Sequence, residues 1–93
     1  MTLPVTTTRT STVLIRYFAG ARAAAGVAEE HVELVSAGSV ADALAVALER
    51  RGAELARVLP SCSVLLDGIA VHDHAAVVPD GAELDVLPPF AGG

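Results

Sequence analysis

The chain has 93 residues, a formal net charge of −5, one cysteine, and six basic residues that are all arginine. This length fits one small domain, and a single cysteine excludes a disulfide within the chain. The acidic balance offers no concentrated basic face for phosphates, so we expect no nucleic-acid partner.

The first eleven residues and the longest apolar runs carry no signal for export or for a membrane. Residues 1–11 contain several threonines and Pro4, but no apolar core of a signal peptide. We expect them to form a disordered extension. No apolar run approaches the roughly 18 residues that a membrane-spanning helix requires. Together with the lone Cys62, these features predict a cytoplasmic protein with no membrane partner.

Residues 12–18 predict the first strand because they are rich in β-branched and aromatic side chains. Alternation divides them between two faces, one with Val13, Ile15 and Tyr17 and the other with Leu14, Arg16 and Phe18. We expect the first set to face the core and the second set to lie on the opposite face of the sheet.

The next two elements follow directly. The alanine-rich residues 19–25 predict a short helix, which Gly26 would end. Residues 29–35 alternate again, with Val32 and Leu34 on one face, and predict a half-buried second strand.

Residues 39–51 predict the longest helix. Ser39 is a favourable N-cap, and Asp42, three residues later, completes an approximate capping box. The apolar residues of its buried face would be Val40, Leu44, Ala47 and Leu48. Arg50 and Arg51 fall in the last turn, where positive charge suits the helix dipole. Such an amphipathic helix needs a sheet to pack against.

Beyond this helix, residues 53–59 predict a looser helical turn that ends at Pro60. Three further strands are predicted at residues 62–66, 69–71 and 83–87, with turn signals at Asp67-Gly68 and at Pro79-Asp80-Gly81. On the last strand, Leu84 and Val86 would join the core, whereas Asp85 and Leu87 would point outward. The order β, short α, β, long α, β, β, β predicts an α+β roll, with one main helix packed across a mixed sheet of four or five strands.

The sequence shows no recognisable catalytic set, since motifs for a nucleophile elbow, a P-loop or a dinucleotide site are absent. His72-Asp73-His74 has two imidazoles but no further ligand nearby, so we expect a solvated loop and no metal site. We interpret Cys62 as a small buried hydrophobe and Arg50-Arg51 as a helix-end pair rather than an anion site. We interpret the following acidic residues as ordinary solvated charges: Glu29, Glu30, Glu49, Glu54, Asp67, Asp73 and Asp80.

The last residues predict a delivery arm. Pro88 and Pro89 stop the last strand, and residues 89–93 would form a flexible tail beyond a domain of residues 12–88. Two glycines without a Cβ can thread a narrow channel and present the carboxylate of Gly93. Five residues reach about 16 Å at about 3.3 Å each. A carboxylate must be activated before it reacts, so an ATP-using partner is required. The alternative is an ordinary frayed terminus.

Two segments carry a resemblance to a known family. Residues 16–19, Arg-Tyr-Phe-Ala, followed by Arg22, resemble the opening strand and helix of the small subunit of molybdopterin synthase. Residues 80–93, which end in Pro-Pro-Phe-Ala-Gly-Gly, resemble that family's last turn, strand and tail. The resemblance covers about residues 12–93. Within this ubiquitin-like MoaD/ThiS-like family, the chain is most similar to actinobacterial paralogues, in which an extension with Thr or Ser precedes the first strand.

The resemblance implies a β-grasp fold and the role of a sulfur carrier in molybdenum cofactor biosynthesis. An E1-like activating enzyme would use ATP to adenylate Gly93, and a sulfur donor would convert it to a thiocarboxylate. The tail would then thread into the large synthase subunit, where the sulfur attacks cyclic pyranopterin monophosphate. The threading residues would be Pro89, Phe90, Ala91 and Gly92. The chain would bind no cofactor itself and would be a non-catalytic carrier subunit.

The alternation also predicts where partners dock. Leu14, Phe18 and Leu87, together with Phe90, could form an exposed apolar patch beside the tail. We expect this patch to contact both the large subunit and the activating enzyme. The alternative is that Phe18 closes the bottom of the core.

Two other functions share the features of the tail. One is a sulfur carrier for thiazole or cysteine biosynthesis. The other is a β-grasp interaction module or a protein-conjugation tag, in which Gly93 is joined to lysine side chains.

Overall fold

The computed structural model describes residues 10–35 and 37–89. Within these residues, five strands form one mixed sheet, accompanied by three α-helices. In chain order these are β1 (Thr10–Tyr17), α1 (Ala19–Ala25), β2 (Glu29–Val35), α2 (Val40–Arg51), α3 (Ala53–Val58), β3 (Ser63–Leu66), β4 (Ile69–Ala70) and β5 (Glu83–Leu87). The strand order is β2-β1-β5-β3-β4, with β1 and β5 parallel and all other neighbours antiparallel. The predicted α+β class is confirmed.

Strand β1 begins two residues earlier than predicted. Thr10 and Ser11, which the sequence assigned to the extension, pair with Val35 and Leu34. Their partners come from β2, whose seven residues pair with residues 10–16 of β1. The remainder of the predicted extension, residues 1–9, lies outside the described residues.

The main helix has the predicted N-terminus. The Ser39 hydroxyl accepts a hydrogen bond from the Asp42 N–H at 3.1 Å, and Ser39 N–H donates to the Asp42 carboxylate at 2.9 Å. The capping box is therefore complete with Asp in place of Glu. The predicted turn after α2 is a true helix, α3, followed by a 3₁₀ turn over Leu59–Ser61 that includes Pro60.

The β3–β4 hairpin has the predicted tight turn. Asp67 and Gly68 both have positive φ angles, 47° and 83°. Two consecutive residues of this kind form a type I′ turn, whose twist suits a two-residue hairpin. Each of the paired strands is one residue shorter than predicted, because β3 begins at Ser63 and β4 ends at Ala70.

The core lies between one face of the sheet and α2, as predicted. Its members include Val13, Ile15 and Tyr17 of β1, Val32 and Leu34 of β2, Val40, Ala43, Leu44 and Ala47 of α2, and Leu84 and Val86 of β5. Leu48, which was predicted on the same helix face, is partly buried against them.

Glu30 is the main departure from the sequence-based assignment of solvated charges. It shares the inward face of β2 with Val32 and Leu34 and is only 8% exposed. Its carboxylate accepts hydrogen bonds from the Tyr17 hydroxyl and from both Arg50 and Arg51. The prediction that Glu30 is an ordinary solvated charge was wrong, because the strand's alternation places it opposite the end of α2.

Charge pairing sets the protonation state of this cluster. Burial alone would raise the pKa of Glu30, but hydrogen bonds from Arg51, Tyr17 and Arg50 outweigh it and hold that pKa below its ordinary value. Burial and the hydrogen bond to Glu30 raise the pKa of Tyr17. Glu30 is therefore a carboxylate, and the two arginines neutralise a buried charge in addition to ending a helix.

Candidate functional site

The candidate functional site is the end of β5, where the chain leaves the sheet. β5 ends at Leu87, and Pro88 and Pro89 follow it. Proline lacks the N–H that a further sheet pairing would need, which is why the strand stops here. The predicted tail residues Phe90, Ala91, Gly92 and Gly93 lie outside the described residues, so their roles remain predictions.

The parallel pairing of β1 with β5 places Phe18 beside this exit. Tyr17 pairs with Val86, and the Phe18 N–H donates to the Val86 carbonyl at 3.1 Å. Extending the same register sets Phe18 level with Leu87. Phe18 is 39% exposed and lies outside the buried core, whereas Leu87 is half-buried. The geometry therefore disfavours the alternative that Phe18 closes the core.

Phe18 also begins α1. It adopts an extended backbone at the N-cap position, with φ of −122° and ψ of 146°. The helix it begins ends at Gly26, whose φ of 80° is in the left-handed region that glycine adopts readily. The Phe18 carbonyl accepts hydrogen bonds from the N–H groups of Ala21 and Arg22, so its backbone is held at the start of α1.

The predicted apolar patch is not continuous. Leu14 is half-buried on the same face but is separated from Phe18 by Arg16. Arg16 donates two hydrogen bonds to Asp85, at 2.7 and 3.1 Å, and its guanidinium lies 3.5 Å from the Glu83 carboxylate. The predicted grouping of Leu14 with Phe18 and Leu87 is therefore interrupted by an ion pair.

The same arginine also approaches the aromatic ring. The guanidinium carbon of Arg16 is 5.8 Å from the centre of the Phe18 ring, which is within range of a cation–π contact. A partner that covers this face would contact both the Phe18 ring and the bidentate ion pair of Arg16 with Asp85. Sequence reasoning placed Arg16 and Asp85 on the outer face without pairing them. The outward position of each residue on its own strand was the available signal, whereas the adjacency of β1 and β5 that pairs them is a long-range feature.

His72, His74 and Cys62 are the other residues with metal-binding or nucleophilic side chains that the sequence singles out. Within residues 10–35 and 37–89, no three His, Cys, Asp or Glu side chains converge to hold a metal. His72 and His74 are exposed. Cys62 is half-buried, its thiol lies 3.3 Å from the Val58 carbonyl, and burial raises its pKa. It therefore stays protonated at neutral pH and is a poor nucleophile.

In the part of the chain that the structure describes, no helix is both long and apolar enough to cross a membrane. The outer face of β5 and β1 carries Asp85 and Glu83 around a single arginine, Arg16.

Comparison with known proteins gives one family match. The model of the ThiS family matches residues 15–93. Among curated proteins, no sequence matches the chain.

Solved structures agree on the fold. SAMP1 from Haloferax volcanii has a TM-score of 0.79 and 26% identity, covering 89% of this chain and 100% of that one. The small archaeal modifier protein 1 from Methanosarcina acetivorans has a TM-score of 0.74 and 24% identity, covering 91% and 99%. A chain of the complex of subunits 1 and 2 of molybdopterin-converting factor from Helicobacter pylori has a TM-score of 0.61 and 23% identity, covering 88% and 99%. These likenesses confirm the predicted β-grasp fold.

Proposed function

The chain belongs to the ThiS family, and from this membership, together with the resemblance of residues 16–19 and 80–93 to the small subunit of molybdopterin synthase, we propose that it is the sulfur-carrier subunit of such a synthase. The observation that carries the proposal is that the family match runs through residue 93 and so includes Gly92 and Gly93. The match therefore extends over residues 89–93, which the sequence predicts to form the arm.

The proposed chemistry takes place at the carboxylate of Gly93. An E1-like activating enzyme transfers AMP from ATP to this carboxylate, and pyrophosphate leaves. A donor of sulfur at the oxidation level of sulfide then displaces AMP, which leaves a thiocarboxylate. The thiocarboxylate sulfur attacks cyclic pyranopterin monophosphate in the large synthase subunit and displaces an oxygen substituent. Water then cleaves the acyl–sulfur bond, so the sulfur stays on the pterin and Gly93 returns to a carboxylate; two such deliveries build the dithiolene. In this account ATP belongs to the activating enzyme, and the chain binds no cofactor.

The described residues support the proposal at the base of the arm. Phe18 and Leu87 flank the point where Pro88 and Pro89 lead the chain away from the sheet. Phe18 is exposed and Leu87 is half-buried, and an apolar pair of this kind is a candidate part of a protein interface. A large subunit that takes up residues 89–93 would cover these side chains at the same time. The complex of two molybdopterin-converting factor subunits from Helicobacter pylori supports a partner of this kind.

The test is a reconstituted synthase reaction. The full chain, carrying a thiocarboxylate at Gly93, is mixed with the large subunit and cyclic pyranopterin monophosphate, and the product is identified by mass. We expect molybdopterin from the thiocarboxylated chain and none from the unmodified carboxylate or from a chain lacking Gly93. A complex that forms but yields no product would contradict the proposed acceptor.

The similarity to SAMP1 favours one second candidate function, a protein-conjugation module. In that case a lysine amine, instead of a sulfur nucleophile, would attack the Gly93 adenylate. AMP would leave, and an isopeptide bond would form. Isopeptide-linked Ala91-Gly92-Gly93 remnants on lysines of other proteins, which chymotrypsin leaves when it cleaves after Phe90, would support it. A sulfur carrier for thiazole or cysteine biosynthesis would share the thiocarboxylate, so only the identity of the acceptor distinguishes it.

A further inference from the structure

Strand β2 forms an edge of the described sheet, with β1 as its one neighbour. The Tyr17 N–H donates to the Ala28 carbonyl, so this pair exchanges hydrogen bonds between the two strands. In an antiparallel pair such positions alternate with positions whose backbone groups point away. The pairing of β1 with β5 agrees, because the Leu14 N–H donates to Ala82 on the opposite side. Residues 29, 31, 33 and 35 therefore direct their N–H and C=O groups toward the open edge.

Part of this edge is already covered. Arg50 donates to the His31 carbonyl at 2.8 Å, and the Gly38 N–H donates to the Val35 carbonyl at 3.0 Å. Among the described residues, no partner is seen for the N–H and C=O groups of Glu33 or for the N–H groups of His31 and Val35. An exposed strand edge with free donors and acceptors is a template for another strand.

A cleft lies along the uncovered part of the edge. Its volume is about 490 Å³, and it runs between β2 and α2. Its walls include Glu33, Leu34 and Val35 of β2 and Asp42, Val46 and Glu49 of α2. Leu34 and Val46 supply apolar lining, and Asp42 and Glu49 are the acidic residues on the α2 side. Glu33 alternates with the inward-facing Val32 and Leu34, so its carboxylate lies on the outer face of the same strand edge. No arginine lines the cleft.

The charges of the cleft identify the class of occupant. Neither Glu33 nor Glu49 has an ion-pair partner among the described residues. A second copy of this chain would bring its own Glu29 and Glu33 to the same edge, and like charges facing each other across strands are unfavourable. A strand with basic side chains would instead neutralise the carboxylates while its backbone satisfies the free groups.

We propose that the cleft between β2 and α2 binds an extended basic segment of a partner protein, which adds to the sheet as a further strand. The segment alternates apolar and basic residues, because successive side chains of a strand point to opposite faces. Its backbone pairs with Glu33 and with the N–H groups of His31 and Val35. This surface is separate from the Phe18–Leu87 exit, so it does not depend on the function proposed for Gly93.

The test uses the full chain labelled with ¹⁵N and a synthetic peptide, acetyl-Val-Lys-Val-Lys-Val-Lys-amide. Amide shifts are followed during titration. We expect saturable shifts at residues 31–38 and along the cleft side of α2. The double variant Glu33→Gln with Glu49→Gln should bind roughly 3- to 10-fold more weakly, since two exposed ion pairs are lost. Glu54→Gln, which removes an exposed carboxylate outside the cleft, is the matched control and should leave binding unchanged.

A second peptide tests the role of the backbone. The same sequence with alternate backbone nitrogens methylated loses its hydrogen-bond donors along one edge and should not bind. Equal binding of the methylated peptide, an unaffected double variant, shifts centred on Phe18, or no binding at millimolar peptide would each overturn the proposal. A chain lacking residues 1–9 that binds at least tenfold more tightly would also overturn it, because it would assign the cleft to the chain's own N-terminal residues.

Discussion

Replacing Glu30 by alanine should destabilise the domain strongly. The Glu30 side chain is 6% exposed and accepts hydrogen bonds from the Tyr17 hydroxyl, Arg50 and Arg51. The variant leaves a buried hydroxyl without its acceptor and two arginines without their counter-charge. Because Tyr17 lies in register with Val86, the loss falls on the end of the sheet from which the chain exits.

The size of the effect follows from the exposure of each partner. Removing one member of a buried ion pair costs about 3–5 kcal/mol when the other is left buried. Here Arg50 and Arg51 are 44% and 24% exposed, so they can regain water and the cost is lower. An orphaned hydroxyl such as that of Tyr17 costs about 1–3 kcal/mol. We expect a loss of about 2–4 kcal/mol in the free energy of unfolding, or a fall in Tm of roughly 10–25 °C.

Urea unfolding followed by circular dichroism measures this loss. Glu54→Ala is the control, because Glu54 pairs with Arg57 on the surface, where both side chains are more than half exposed and the pair is worth about 0–1 kcal/mol. Glu30→Gln, which keeps the shape and one acceptor oxygen, should lie between the wild type and Glu30→Ala. A loss for Glu30→Ala below about 1 kcal/mol would refute the reasoning.

Acidification provides an independent check on the same residue. The pKa of Glu30 is lowered in the folded protein, so its contribution to stability is fully present above the unfolded pKa of about 4.3. It is lost as the pH falls through the lower folded-state pKa. The stability difference between wild type and Glu30→Ala should therefore shrink on acidification below that range. A constant difference would contradict the assignment of a charged carboxylate.

Three further predictions concern other parts of the molecule. Phe18→Asp should weaken binding to the large subunit at least about tenfold. The control is Ile69→Asp, which replaces an apolar side chain that is 73% exposed on β4 and should leave binding unchanged. Titration calorimetry would measure both affinities, and similar losses would contradict a docking role for Phe18. Because aspartate is a favourable N-cap, Phe18→Asp should not unfold α1. Ser39→Ala removes half of the capping box and should lower stability by about 1 kcal/mol in thermal unfolding; no change would mean that the box contributes nothing. Cys62 should react with iodoacetamide more slowly in the folded chain than in urea at neutral pH, since burial raises the pKa of its thiol; equal rates would contradict that burial.

Alternation in the sequence was sufficient to predict most of the sheet. The inward sets of β1 and β5 were assigned correctly, because each strand has one uniformly apolar face. The same alternation places Glu30 on the inward face with Val32 and Leu34. Glu30 was nevertheless interpreted as a solvated charge, because its partners, Arg50 and Arg51, are about 20 residues away in the sequence. The buried cluster became visible only when β2 and the end of α2 were brought together.

The outer face was predictable only in part. The alternation of side chains along each strand placed Phe18 and Leu87 on the outer face of the sheet. Only the parallel register of β1 with β5 places them side by side along the strands. That pairing joins strands more than 60 residues apart, and local patterns do not define such partners. The Arg16–Asp85 pair and the open edge of β2 depend on the same long-range strand order.

The central claim is that Gly93 carries sulfur, and intact mass spectrometry tests it most directly. The full chain is incubated with an activating enzyme, ATP and a sulfur donor, and a chain lacking Gly93 serves as the control. The account predicts a mass gain equal to one oxygen replaced by one sulfur, located at Gly93 and absent from the control. No gain with any activating enzyme that binds the chain, or a gain located elsewhere, would contradict it.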